Sequence, residues 1–200
     1  MIKPYIEEGE DIRSFIFRIQ SVLGVNSYSN IITGTGKWKR LIYFSENTPF
    51  SYDRFEHKVL KQLLINSGFY RSKSYEGSGN YAENTFNHYE NKIQQLKSTS
   101  KSKGIYTPAC ISKDIVFCHE CIEKHAVQHG VAFLKIYWRI DKECEIHKTP
   151  LFKLKSTTRN STIQCIKLLL RGTIPPNSER LTLTKRDKQL LTVFPLNSRY

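Results

Sequence analysis

A mainly α-helical protein carrying one small zinc-ribbon or zinc-finger module is the fold class that three features of the sequence predict. Apolar side chains recur at helical spacing over residues 11–23 and 52–66. Two ligand knuckles, Cys118-x-x-Cys121 and Cys144-x-x-His147, stand 22 residues apart. A Ser- and Lys-rich stretch without apolar residues separates these two parts. The 200 residues thus divide into an N-terminal helical region (1–97), a linker (98–104), a zinc-binding module (105–155) and a basic helical C-terminal region (156–200).

The first helix runs from Asp11 to Leu23. Ile12, Phe15, Ile16, Ile19, Val22 and Leu23 form its stripe, and Gly24 stands where a helix end accepts a left-handed residue. Leu41 to Phe44 reads as a short strand or a buried turn. The second helix spans 52–66, with Ser51 as N-cap, Phe55, Val59, Leu60, Leu63 and Leu64 as its buried face, and Gly68 as its stop. Residues 71–85 are a polar loop and 86–96 a third helix. Beyond the linker, Cys118 to Leu151 forms one compact unit. Thr162 to Leu170 is a helix ended by Gly172, Pro175-Pro176 breaks the chain, and a short basic helix follows over 185–193.

Lys and Arg total 31 against 18 Asp and Glu, a net charge of +13. The excess is uneven: −1 over 1–36, +6 over 37–117, zero over 118–150 and +8 over 151–200. A polyanionic partner, most commonly nucleic acid, is the expectation, and the neutral cysteine-rich stretch is not its main docking surface. With 39% hydrophobic residues the chain is globular. No apolar run approaches the roughly 18 residues of a membrane span and Met1-Ile2-Lys3-Pro4 opens no signal peptide, so a cytoplasmic protein is expected, with no membrane partner.

The five cysteines, Cys110, Cys118, Cys121, Cys144 and Cys165, are an odd number in a chain without an export signal, which favours metal binding over disulfides. Two residues between ligands let a tight turn aim both side chains at one point. Two such knuckles supply three thiolates and one imidazole, the tetrahedral set that zinc prefers. Cys118, Cys121, Cys144 and His147 are therefore the expected ligands of one structural Zn²⁺, closed to water and substrate. His125 and His129, four apart on a helix after Cys121, are a competing pair, and His119 lies inside the first knuckle. Cys110 and Cys165 read as small buried residues.

A rival catalytic arrangement exists. His88-Tyr89-Glu90 upstream of Cys118-x-x-Cys121 matches part of the H-x-E…P-C-x-x-C signature of zinc nucleobase deaminases, in which Glu shuttles protons and zinc activates water. Phe117 replaces the Pro of that signature, and Cys144 and His147 find no use in it. Gly34-Thr35-Gly36-Lys37 fails as a phosphate loop, since Ile31 and Trp38 occupy positions that need Gly and Ser/Thr. Lys37, Lys39 and Arg40 around Trp38 form a basic-aromatic cluster suited to phosphates and a stacked base; the other reading is a tryptophan that plugs the local core. Lys185, Arg186 and Lys188 either grip a nucleic-acid backbone or form a solvated helix face.

The motif Cys118-His-Glu-Cys121-Ile122, Tyr137-Trp138-Arg139 and Cys144-Glu-Ile-His147-Lys-Thr-Pro-Leu151 resembles the zinc module of the TniQ/TnsD family of transposon target-selection proteins. That family shows C-P-x-C-L, an aromatic-aromatic-Arg/His step and C-x-x-H followed by Leu. Pro4, the acidic cluster Glu7 to Asp11, and Ser14-Phe15-Ile16-Phe17-Arg18 resemble its opening, P-x-x-x-E-S-x-x-S-[FW]-x-x-R. His119 departs from the usual Pro, and the chain resembles a short member. The resemblance implies helix-turn-helix-like helices around the zinc module, with 52–66 as a candidate recognition element. It implies a non-catalytic adaptor in transposition, linking DNA or a guide-RNA effector complex (as in CRISPR-associated transposons) to an AAA+ ATPase; a homodimer is compatible with it. A free-standing zinc-ribbon DNA-binding regulator and a deaminase-like enzyme using His88, Glu90, Cys118 and Cys121 are the alternatives.

Overall fold

Helix α1 (Ile12–Val22) begins where the Asp11 carboxylate accepts a hydrogen bond from the Arg13 N–H at 2.7 Å, satisfying one of the amides that a helix start leaves without a partner. It ends at Leu23, and Gly24 follows at φ 70°, a region open to glycine. In this computed structural model the described residues are 6–39, 41–42, 105–106, 114–139, 141–155 and 157–182, with 41–42 and 105–106 described by backbone alone. Ile12, Phe15 and Ile16 on α1 are fully buried, and Phe17 stacks on Tyr28 with ring centroids 4.2 Å apart.

The chain then turns back on itself. Ile32 and Trp38 form an isolated antiparallel bridge around Thr33–Lys37, where the Thr33 hydroxyl accepts from the Lys37 N–H at 3.0 Å. This turn sits on the start of a later helix. The Gly34 carbonyl accepts from the Arg159 N–H (3.1 Å), and the Gly36 carbonyl accepts from the Thr162 hydroxyl (3.1 Å). Residues 41–42 form a strand, β1 (Leu41–Ile42), antiparallel to β2 (Ile105–Tyr106).

Three further strands make a second antiparallel sheet, in the order β3 (Val116–Phe117), β4 (Phe152–Leu154) and β5 (Ser178–Arg180), with β4 central. Val116 pairs with Lys153 and Phe117 with Phe152, while Phe152 pairs with Arg180 and Leu154 with Ser178. Strands of two or three residues show no readable alternation, which is why the sequence gives no sign of this sheet. Helix α2 (His119–His129) follows β3, and helix α3 (Arg159–Leu170) lies between β4 and β5. Helix α3 starts three residues before the expected Thr162, because the Thr158 hydroxyl caps it by accepting from the Ser161 N–H at 3.2 Å. The two helices approach closely: a Cβ at Gly172 (φ 81°) would lie 2.6 Å from the Ala126 Cβ.

The described residues thus show the expected Cys/His cluster with three helices and two small sheets, a mixed rather than a mainly helical composition. The division expected at 155/156 falls inside a sheet, since β5 belongs to the basic C-terminal region and pairs with β4. One apolar core runs from Phe15, Ile31 and Trp38 to Phe117, Ile122 and Leu151 and on to Ile166 and Leu169. The expected helices at 52–66, 86–96 and 185–193, and the linker 98–104, lie outside the described residues.

A buried polar network binds the N-terminal segment to the cysteine-rich one. The Asp11 N–H donates to the Leu134 carbonyl (2.8 Å), the Ile136 N–H to the Gly9 carbonyl (2.9 Å) and the Leu134 N–H to the Ser14 hydroxyl (3.0 Å). Arg139 reaches the second Asp11 oxygen at 2.9 Å, and Arg13 lies 3.4 Å from the first. Arg13 Nε also donates to the Lys39 carbonyl at 2.8 Å. Burial alone would push the Asp11 carboxyl up, but the Arg139 and Arg13 charges and the Arg13 amide outweigh it and hold it below the usual range. Glu10 is bound by Arg18 through both oxygens (2.8 and 2.6 Å), yet burial outweighs that pairing and raises its carboxyl. Burial lowers the Arg13 guanidinium to about 10, still charged at neutral pH.

Replacing Asp11 by Ala would leave two buried guanidinium groups without their counter-charge. The expected loss is about 3–5 kcal/mol of stability in urea unfolding, well beyond a cap alone at about 1 kcal/mol.

Candidate metal centre

Cys118 leaves β3 in an extended conformation and stands at the N-cap of α2, so Cys121 falls within the first helical turn. The Ile122 N–H donates to the Cys118 carbonyl at 3.0 Å, which closes the first knuckle. The second knuckle is a turn in which the Lys148 N–H donates to the Cys144 carbonyl (2.9 Å) and the Cys144 N–H to the Thr149 carbonyl (2.8 Å). Lys148 takes φ 52°, the one non-glycine residue with positive φ among those described. Between the knuckles the chain passes through α2, Gly130 at φ 71° and a short 3-10 turn at Tyr137–Arg139.

The result is a tight cluster. His147 Nδ1 lies 3.4 Å from Cys118 Sγ, 3.3 Å from Cys121 Sγ and 3.6 Å from Cys144 Sγ, and the Cys121 and Cys144 sulfurs are 3.6 Å apart. All four donor atoms lie within 4.8 Å of one another, and the group can hold one metal ion. The three cysteines are buried and His147 nearly so. Their crowding sets their protonation. Hydrogen bonds from Cys118 and Cys121 hold the Cys144 thiol far below its usual range, whereas Cys121 is pushed far above it by its hydrogen bonds with Cys118 and Cys144 and by burial. A metal cation is the group that would let all three sulfurs ionise together.

The sequence-predicted ligands Cys118, Cys121, Cys144 and His147 are thus brought together. The competing histidines are not part of the cluster. His119 pairs with Glu123 at 3.1 Å, and His129 lies 3.6 Å from Glu7. His125 stacks flat on Phe133, with centroids 4.0 Å apart and planes 3° from parallel. It is 6% exposed with an unpartnered Nδ1, and burial, aided by the Lys135 charge, lowers it to about 4. Trp138 is buried in the core that also holds Cys118, Cys121 and Cys144. Cys165 is buried too, its thiol donating to Asn177 Oδ1 at 3.2 Å.

The basic-aromatic cluster is corrected. Trp38 is only 1% exposed, because the Ile32–Trp38 bridge turns its indole into the core, and it offers no face to a base. Lys37 is exposed but paired with Asp114 at 3.1 Å, and Lys39 is half-buried. Arg40, Lys185, Arg186, Lys188, His88 and Glu90 lie outside the described residues. What sequence reasoning missed is the anchoring role of Glu10, Asp11 and Ser14. An acidic pair just before an apolar helix, with basic residues on the next turns, was the available signal.

Fold and site together define a small mixed α/β protein organised around a Cys3His cluster. Compared with protein-family models, with curated proteins and with solved structures, the chain has no match. Among the described residues no helix is long and apolar enough to cross a membrane.

Two outcomes are expected. The purified protein should carry one equivalent of divalent metal by elemental analysis, and Cys144→Ser should lose most of it. His125 is depressed from about 6.5 to about 4, so the unfolded chain binds the extra proton within that window. The contribution is fully present above pH 6.5 and lost as pH falls toward 4. His125→Phe should therefore lose less Tm than the wild type between pH 7.5 and pH 5.

Proposed function

We propose that the cluster is a structural zinc site and that the protein is a non-catalytic adaptor in DNA transposition, similar to the TniQ/TnsD family. Zinc is favoured by donor chemistry and by size. A tetrahedron with zinc–sulfur bonds of about 2.3 Å and a zinc–nitrogen bond of about 2.0 Å has edges of about 3.8 Å between sulfurs and about 3.5 Å from sulfur to nitrogen. The Cys121–Cys144 edge here is 3.6 Å, the S–N edges are 3.3 to 3.6 Å, and all four donors lie within 4.8 Å of one another. Four protein donors fill such a site, so zinc would hold the fold together rather than activate water. That argues for the adaptor and against the deaminase-like alternative, which needs an open position.

One observation carries the family reading. The two stretches that bear the resemblance are far apart in sequence yet lock directly together: Asp11 of the opening segment pairs with Arg139 of the aromatic-aromatic-Arg step, 128 positions away. Ser14 of the same opening accepts from the Leu134 amide. Chance similarity in two separate stretches gives no reason for those particular residues to be partners. On this reading the protein is cytoplasmic. Its basic flanks, 37–117 and 151–200, attract DNA or a guide-RNA effector complex, and the assembled protein recruits an AAA+ ATPase.

The test is whether an AAA+ ATPase gene neighbours this one and whether that ATPase co-purifies with the protein, with and without target DNA. Zinc-dependent capture of that ATPase is the expected result. Its absence, together with tight sequence-selective binding of duplex DNA by the isolated protein, would replace the adaptor by a free-standing DNA-binding regulator.

A further inference from the structure

We propose that Glu120 is a positioning residue for His147, accepting the Nε2 hydrogen so that Nδ1 stays aimed at the metal. The inference rests on the cluster being a zinc site. Glu120 stands inside the first knuckle, between His119 and Cys121, but both of its partners lie in the second. One carboxylate oxygen accepts from the Thr149 hydroxyl at 3.3 Å, and the other lies 3.9 Å from His147 Nε2. The side chain thus crosses from one knuckle to the other on the outside of the cluster, where it is 52% exposed.

The chemistry follows from the ring. Nδ1 faces all three sulfurs, so it is the nitrogen that offers a lone pair to the metal. A neutral imidazole that uses Nδ1 in this way carries its hydrogen on Nε2. That hydrogen needs an acceptor, and the Glu120 carboxylate is the one aimed at it. The separation of 3.9 Å is about 1 Å longer than a hydrogen bond, a gap that a small rotation of an exposed carboxylate closes. Such an outer carboxylate fixes the tautomer and the ring orientation, and its loss commonly lowers metal affinity by about 10–100-fold. The Thr149 hydroxyl steadies the carboxylate from the other side.

Helix-end electrostatics is the competing explanation, since any acid in the first turns of α2 is favoured there. Glu123 separates the two. It lies one turn further along α2, is 59% exposed and is engaged with His119 instead. Zinc affinity of the full chain is measured by competition with a chromophoric chelator for the wild type, Glu120→Ala, Glu120→Gln and Glu123→Ala. Hydrogen exchange at the His147 Nε2–H is followed by nitrogen-15 NMR in the zinc-loaded proteins. The expected result is a loss of about 10-fold or more for Glu120→Ala, a smaller loss for Glu120→Gln, little change for Glu123→Ala, and faster Nε2–H exchange in the Glu120 variants only.

Equal losses in Glu120→Ala and Glu123→Ala, or unchanged exchange at His147, would overturn the proposal. Should Glu120→Ala fail to fold, the near-isosteric Glu120→Gln carries the same comparison, and wild-type affinity and exchange in that variant would overturn it equally. A wild-type chain that binds no zinc ends the metal reading itself, a result distinct from a wild type that binds zinc with or without Glu120.

Discussion

The Asp11 carboxylate is shared between two guanidinium groups that reach it from different parts of the chain, and the remaining packing is arranged around that contact. One oxygen caps α1 and faces Arg13; the other takes Arg139. None of the three side chains has appreciable contact with water. Buried charges are tolerated only when closely paired, so the contact is stringent: the N-terminal helix and the loop before the second knuckle must both be in place for either to be satisfied. The backbone bonds at Gly9, Asp11 and Leu134 then follow from the same register. Because Arg139 lies only five positions before Cys144, the ion pair also determines how the second knuckle approaches the first.

The cluster answers a different problem. Strands of two and three residues provide few ladder hydrogen bonds, and helices of 11 and 12 residues are marginal without tertiary support. Cys118 follows β3 directly, Cys121 lies on α2, and the second knuckle leads through the Glu143–Pro150 bridge into β4. A metal ion held by these four residues would tie sheet to helix where β3 meets α2 and where the second knuckle meets β4. The close approach of Gly172 to Ala126 carries that restraint from α2 to the end of α3.

How much of this was legible depends on the length scale of each signal. Helix α1 and its Gly24 stop were readable because an 11-residue apolar stripe and a chain-reversing glycine are both local. The four ligands were readable because knuckle spacing is a local demand of coordination geometry. The fate of Trp38 was not, since whether an aromatic beside three basic residues faces inward is decided by the turn over α3, far away in sequence. The β3–β4–β5 sheet was hidden for the same reason: β5 finds β4 only after α3 has folded back. The sequence shows Glu7–Asp11 as an acidic cluster but not where it lies. It is buried at Glu10 and Asp11, because the arginines that neutralise it lie elsewhere in the chain.

The separation of 128 positions between Asp11 and Arg139 also bears on synthesis. At translation rates of about 5–20 residues per second, the first helix leaves the ribosome roughly 6–26 s before its partner is made. During most of that interval α1 has only Tyr28, Ile31, Ile32 and Trp38 of its core, without Phe117, Ile122 and Leu151, and Asp11 has no Arg139. The nascent chain thus waits on its own C-terminal half, and the time it spends waiting is set by the ribosome rather than by any step of folding.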